Sequence, residues 1–399
     1  MTHLMPTYRE PTVRFVSGHG CRLVDDAGRS YLDFLSGLGV TSLGHADPVV
    51  GAAVSAQAAR LLHVSNIFGN EFNEEVAARL DWLVGDGSPL GGQVFFANSG
   101  AEANECAIKL ARRYGGRGRH GVVSAFGSFH GRTLATLHAT GQPAKHEAFL
   151  PLPEGFSHIP YGDPAALRAI DPGSVAAVLL EPILGESGVV PPPRGYLAAA
   201  RAICDELRLL LIVDEIQTGL GRTGRWFAFQ HEGIVPDIVT IAKALGNGVP
   251  VGACWARAEV ARAFRPGDHG STFGGQPLAM AAARATLARL VAIDAPAIAV
   301  ELGGRLETTL RRIDGVAAVR GSGFLLGVVL EDGIDSRAVF TEALRAGLVV
   351  NAPVPGVIRL MPPFVVSAED CDEAAGLLAV AIARARAGGR KRGEEGSRS

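Results

Sequence analysis

Between about Gln93 and Ala256, short apolar runs alternate with stretches of helical periodicity. The runs Val94–Ala97, Val122–Ala125, Val175–Leu180, Leu209–Val213, Ile238–Ile241 and Pro250–Ala256 largely lack polar alternation. Each predicts a strand covered on both faces. Between them, Glu102–Tyr114 and Tyr196–Leu207 place apolar residues at helical spacing. This alternation predicts an α/β fold, a mostly parallel sheet with helices on both sides. In such sheets ligands sit beyond the carboxyl ends of the strands.

The pattern changes after Gln276. Helical stretches at Leu278–Val291 and Ala297–Ile313 precede a strand at Phe324–Leu330. A helix near Ser336–Ala346 and a final helix near Ser367–Arg386 follow. These predict a second, smaller α+β domain. The expected division is a segment 1–60 packing with the small domain, a large domain 61–275, the small domain 276–386 and a disordered tail 387–399. A hairpin-like stretch at Cys21–Tyr31 is the part of the first segment expected to pack there.

Composition narrows the class. The 399 residues include 51 Gly and 23 Pro, yet 47% are apolar, which excludes wholesale disorder and a collagen-like fibre. A net charge of −2 gives no broad attraction to nucleic acid or to an anionic membrane. The longest apolar runs are too short to span a bilayer. Cys21, Cys106, Cys204, Cys254 and Cys371 are far apart and form no CxxC pair. They argue against a disulfide framework or a cysteine zinc site, and the histidines also lack ligand spacing, so no metal is expected. Met1–Pro11 has no apolar signal-like stretch, and the expectation is a soluble cytoplasmic protein.

Four motifs carry candidate chemistry. Asn98–Asn104 follows a strand and opens a helix, with Ser99 and Glu102 at capping-box spacing. Gly100 lets a ligand approach the backbone, and the helix start is an anion site, although the same residues also suit an ordinary capped helix. Asp214 falls where an apolar strand ends. A carboxylate there can face a cationic ring nitrogen or simply cap a turn. Lys243 follows a buried strand between two alanines, where an amine loses its proton more easily and becomes a nucleophile. The alternative is a lysine snorkelling from the strand end. In Ser128–Thr133, Phe129 could stack on a flat cofactor and Arg132 could fork onto a carboxylate, while His130 reads as structural.

Phosphate site, stacking aromatic, ring-nitrogen carboxylate and reactive lysine are together the fixtures of a pyridoxal 5'-phosphate site. With Ser42–His45, His63–Asn66, Glu181–Glu186, Asp214–Gly224, Ala242–Gly246, Ser271–Gly275 and Arg359 in this order, the chain resembles the class III pyridoxal-phosphate aminotransferases of fold type I. The resemblance runs from about Arg14 to Arg384 and is strongest to the acetylornithine group.

The resemblance implies roles residue by residue. Lys243 would hold the cofactor and move the proton. Asp214 would pair with the ring nitrogen, Gln217 would lie near the phenolic oxygen, and Phe129 would stack on the ring. Gly100 and Ala101 would offer backbone N–H groups to the phosphate. Thr272 would reach the phosphate in a neighbouring subunit, implying a homodimer with sites at its interface. Arg132 and Ser271 would bind substrate, Arg132 at the remote carboxylate. Arg359 would take the carboxylate beside the keto group of 2-oxoglutarate, and Glu186 would cover that arginine when the amine substrate has no such carboxylate.

The implied reaction moves the terminal amine of N2-acetylornithine to 2-oxoglutarate, a step of arginine biosynthesis. Alternatives are ornithine, succinyl-diaminopimelate or 4-aminobutyrate aminotransferases, an aminomutase, or a non-catalytic cofactor-binding protein. Arg359 disfavours the aminomutase, which needs no exchangeable dicarboxylate, and intact Lys243 and Asp214 disfavour the non-catalytic protein. Three positions depart from the family pattern: Ala101 for Thr, Leu184 for Gln and Gln276 for Asn.

Overall fold

The computed structural model describes residues 3–396, with side chains described as far as residue 388. Seven strands form the central sheet: β1 (Gln93–Ala97), β2 (Gly121–Ala125), β3 (Phe156–Ile159), β4 (Val175–Leu180), β5 (Leu210–Asp214), β6 (Ile238–Ile241) and β7 (Gly252–Ala256). Their order is β1-β7-β6-β5-β4-β2-β3. Neighbours from β6 through β3 pair in parallel, whereas β7 runs antiparallel to both β1 and β6. The connection 242–251 between β6 and β7 carries only a 3₁₀ turn, too short for the helical crossover that a parallel pair requires. Every residue of β4, β5, β6 and β7 is buried, as their unbroken apolar character predicts.

Strand β3 has no counterpart in the sequence reading. It is an edge strand, half-buried, with Ser157 exposed and His158 within it, so its apolar signal is weak.

The helices are α1 (Gly100–Gly115), α2 (Tyr196–Leu207), α3 (Pro277–Ala292), α4 (Ala295–Leu310), α5 (Ser336–Ala346) and α6 (Ala368–Gly396), beside several shorter ones. Helix α3 is buried over most of its length because its run of alanines allows close approach. It packs on the helix Pro48–Ala58 and on the turn Lys243–Gly246. Helix α6 continues to Gly396, through most of the tail expected to be disordered. Arg, Lys and Glu in that stretch are good helix formers, and its scattered glycines do not end the helix. Residues 397–399 of that tail lie outside the described part.

Two smaller sheets flank the core. Strands Phe15–His19, Arg22–Asp25 and Ser30–Asp33 form an antiparallel meander, onto which Leu348–Val349 adds in parallel. The N-terminal segment is thereby joined to the C-terminal part of the chain. Strands Val316–Ser322, Leu325–Leu330 and Val357–Leu360 form the other sheet, with Arg359 on its last strand.

Candidate active site

The site lies where the carboxyl ends of β5 and β6 meet the start of α1. There a cavity of ≈ 440 Å³ is lined by Gly100, Ala101, Phe129, Arg132, Glu181, Glu186, Asp214, Gln217 and Lys243, among others.

Helix α1 is capped by Ser99, whose Oγ accepts the Glu102 N–H at 3.2 Å. The Glu102 carboxylate reaches one residue further back than a capping box requires and accepts the backbone and side-chain N–H groups of Asn98 at 2.7 and 2.8 Å. At Gly100 a Cβ would stand 2.7 Å from Cδ1 of Ile216. The glycine therefore makes room for another wall of the cavity.

Asp214 ends β5 and is 4% exposed. Its Oδ2 accepts from Asn104 Nδ2 and from His130 Nδ1, each at 2.8 Å, and its Oδ1 accepts the Ile216 N–H at 3.1 Å. The bond to a carboxylate assigns the proton of His130 to Nδ1. Asn104 also donates to the His130 carbonyl and accepts from Thr240 Oγ1, both at 2.8 Å. Sequence reasoning gave Asn104 no role and read His130 only as structural, since their partners lie far away in the chain.

Lys243 follows β6 with φ at +44°, a conformation rare outside glycine and found at functional sites. Burial pushes its ammonium below the usual lysine range, Arg359 adds to that, and Glu186, Asp214 and Glu181 oppose it. An amine so placed sheds its proton more readily and can act as a nucleophile or a base.

Glu181 is a further residue without a sequence-derived role of its own. It accepts the Phe129 N–H at 2.8 Å and the Gly185 N–H at 3.3 Å. Burial raises its pKa to about 7, with His130 opposing and Asp214 contributing. It fixes the backbone of the aromatic residue and of the glycine loop together.

Arg359 has no exposed side-chain surface. Its Nε donates to Asn351 Oδ1 at 3.1 Å. Its Nη1 lies 2.7 Å from Glu186 Oε1 and 3.1 Å from both the Gly185 carbonyl and Gln217 Oε1. Nη2 is buried and has no protein partner among the described residues. Burial alone would raise Glu186, but the charge and bond of Arg359, together with Lys243 and Gln217, outweigh it and hold the carboxyl below its ordinary value. At Gly185 a Cβ would stand 2.0 Å from Gln217 Oε1, so any side chain here would push that amide out of the cluster.

Arg132 lies over the Phe129 ring, its Cζ 5.5 Å from the centroid. Ser271 and Thr272 do not line this cavity. Ser271 Oγ accepts from Asn98 Nδ2 at 3.2 Å and from the Gly274 N–H at 2.9 Å, and Thr272 is exposed. Of the family departures, Leu184 is buried and bridges Val190 through its backbone. Gln276 caps α3, its Oε1 accepting the Leu278 N–H at 2.8 Å. Both have structural duties outside the cavity.

The family model for aminotransferase class-III matches residues 5–382. This chain belongs to the class-III aminotransferases. It is 47% identical over 390 residues to the acetylornithine aminotransferase of Corynebacterium efficiens, covering 96% of each chain. It is likewise 47% identical over 391 residues to the acetylornithine aminotransferase of Gloeobacter violaceus, again covering 96% of each. Among solved class-III-like structures, it matches the ornithine aminotransferase from Toxoplasma gondii with a TM-score of 0.91 at 34% identity, over 96% of this chain and 93% of that one. It matches the N-acetylornithine aminotransferase from Stenotrophomonas maltophilia with a TM-score of 0.82 at 35% identity, over 95% and 98%. The mostly parallel α/β sheet expected from the apolar pattern is thus the aminotransferase fold.

Proposed function

We propose that this aminotransferase uses pyridoxal 5'-phosphate to move the terminal amine of N2-acetylornithine to 2-oxoglutarate. The observation that carries the substrate assignment is the Arg359–Glu186 pair beside Lys243. The reacting carbon of the donor bears no carboxylate, whereas that of the keto acid does. A buried arginine with a removable carboxylate partner can serve both. Relatives at 45–48% identity that carry the name acetylornithine aminotransferase support the same reading.

The donor set fits the cofactor. Asp214 is held by two donors on one oxygen at the wall of a cavity of ≈ 440 Å³, opening beside the first amides of α1. When bound, pyridoxal phosphate supplies an electron sink for the carbon that loses its proton. Lys243 would hold the cofactor and then carry the proton at the substrate carbon, its burial-lowered pKa suiting both tasks. Asp214 would keep the ring nitrogen protonated, with Asn104 and His130 fixing its orientation. The Gly100 and Ala101 amides would bind phosphate with the help of the helix dipole. Phe129 would cover the ring face, and Gln217 would face the phenolic oxygen. Arg132 would fork onto the remote carboxylate, and Nη2 of Arg359 is a ready donor for the carboxylate beside the keto group.

Thr272 and Ser271 belong to this scheme only if a second copy contributes, so we propose a homodimer. Ile67 at 84% exposure and Phe273 at 60% support it, flanking a loop pinned by Asn66 to the Ser271 and Gly274 carbonyls. Sedimentation would test it, a monomer counting against it. Among the described residues, no helix is long and apolar enough to cross a membrane. With five free cysteines, a cytoplasmic site of action is proposed.

The test of the substrate is a half-reaction panel. The holoenzyme is mixed separately with N-acetylornithine, ornithine, succinyl-diaminopimelate and 4-aminobutyrate, and the absorbance change of the cofactor is followed. N-Acetylornithine should react with the highest kcat/KM. A last place in that ranking would overturn the proposal.

A further inference from the structure

We propose that Lys145 is a second cationic contact for the remote end of the amine donor, and that with Arg132 it selects donors whose α-nitrogen is acylated over donors with a free α-ammonium. The inference rests on reading the site as one for N2-acetylornithine.

Lys145 closes the 3₁₀ turn Pro143–Lys145. Its Nζ lies 5.5 Å from the Phe129 ring centroid, the same distance as Cζ of Arg132. Two cations therefore share one aromatic ring of the cavity lining; Arg132 also lines the cavity, and Lys145 stands next to that lining. Lys145 is tethered there, since Nζ donates to Gln142 Oε1 and Gln142 Nε2 donates to the Ser128 carbonyl at 3.0 Å. Burial pushes its pKa down, the charge of Arg132 adds to that, and the charge of Glu186 opposes it. Glu186 is engaged by Arg359 at 2.7 Å.

The chemistry of the donor completes the argument. The remote end of N2-acetylornithine presents a carboxylate and an amide carbonyl, which are both acceptors. Arg132 can fork onto the first while the Lys145 ammonium donates to the second. Ornithine presents an ammonium in place of the amide. That charge would meet two like charges across a partly desolvated edge. Acylation removes the repulsion and adds an acceptor in one step.

The test uses holoenzyme with Lys145→Met, which keeps length and removes charge, and Lys145→Arg, which keeps charge. N-Acetyl-L-norvaline has the acylated end and no terminal amine, so calorimetric titration with it reads binding without turnover. Lys145→Met should weaken this binding and raise KM for N-acetylornithine about tenfold, with kcat changed less than about twofold. It should lower the ratio of kcat/KM for N-acetylornithine over ornithine by about fivefold or more. Lys145→Arg should restore both to within about twofold of wild type. An unchanged affinity and ratio, a loss confined to kcat, or an arginine variant that behaves like the methionine one would each overturn the proposal. Failure of the parent reading looks different: wild type itself would prefer ornithine, whatever the Lys145 variants do to N-acetylnorvaline binding.

Discussion

The Glu186 carboxylate lies 2.7 Å from Nη1 of Arg359, and the guanidinium it neutralises has no exposed surface. Removing the half-buried carboxylate leaves a fully buried guanidinium uncompensated. Glu186→Ala should therefore open Arg359 to the α-carboxylate of ordinary amino acids. The kcat/KM for glutamate as donor, relative to N-acetylornithine, should rise about tenfold or more. Single-turnover absorbance changes with each donor would show it. An unchanged preference would remove Glu186 from the specificity argument.

Gly185 offers a subtler lesion in the same cluster. A methyl group there would stand 2.0 Å from Gln217 Oε1, which accepts from Arg359. Gly185→Ala should displace Gln217 and loosen the guanidinium. We expect KM for 2-oxoglutarate to rise roughly tenfold, the scale of one lost charge-assisted bond, with a smaller effect on the donor half-reaction. Equal effects on both half-reactions would contradict this.

Asp214 has two donors on Oδ2, and they can be removed separately. His130→Phe should raise the dissociation constant for pyridoxal phosphate roughly tenfold. Asn104→Ala should cost more, because Asn104 also bonds the His130 carbonyl and Thr240. The double variant should fall short of the sum of the two effects, as contacting residues do. Fluorescence titration of the apoprotein measures all three, and strict additivity would argue against a shared network.

Glu215 predicts a pH effect on stability away from the reaction. Burial raises its pKa from 4.5 to about 7, although Thr218 and the Phe229 N–H bond to it. The folded chain therefore holds a proton that the unfolded chain releases. The associated stability is complete below about pH 4.5 and is lost as pH rises through about 7. Melting temperatures from pH 5 to 8 should fall less steeply for Glu215→Gln than for wild type. Glu181 acts in the same direction and keeps part of the slope in that variant. Identical slopes for the two proteins would refute the assignment.

The strands that hold the site were legible because burial on both faces leaves an unbroken apolar run, and Asp214 and Lys243 stand at the ends of two of them. Strand β3 was not, because an edge strand containing Ser157 and His158 carries no such run. Lys243 was legible from its apolar flanks. The partners of Asp214 were not, since Asn104 and His130 are ordinary polar residues until folding brings them 110 and 84 positions along the chain. The roles of Glu186 and Arg359 came from resemblance, and their 2.7 Å contact bridges 173 positions that no local pattern spans. The last helix overran its expected end because glycine weakens a helix without forbidding it.

Besides the His130 carbonyl, the Asn104 amide joins three pieces of the chain: the helix that opens at Gly100, the strand end at Asp214, and Thr240 on the strand that leads to Lys243. These are the places proposed for the two ends of a cofactor ring and for its covalent anchor. Their separations are tied by hydrogen bonds within the protein itself, so the site acts as a fixed gauge. Arg132 and Lys145, proposed to hold the remote end of the amine donor, stand outside that gauge. The choice of amine can therefore drift at the rim while the chemistry underneath keeps its dimensions.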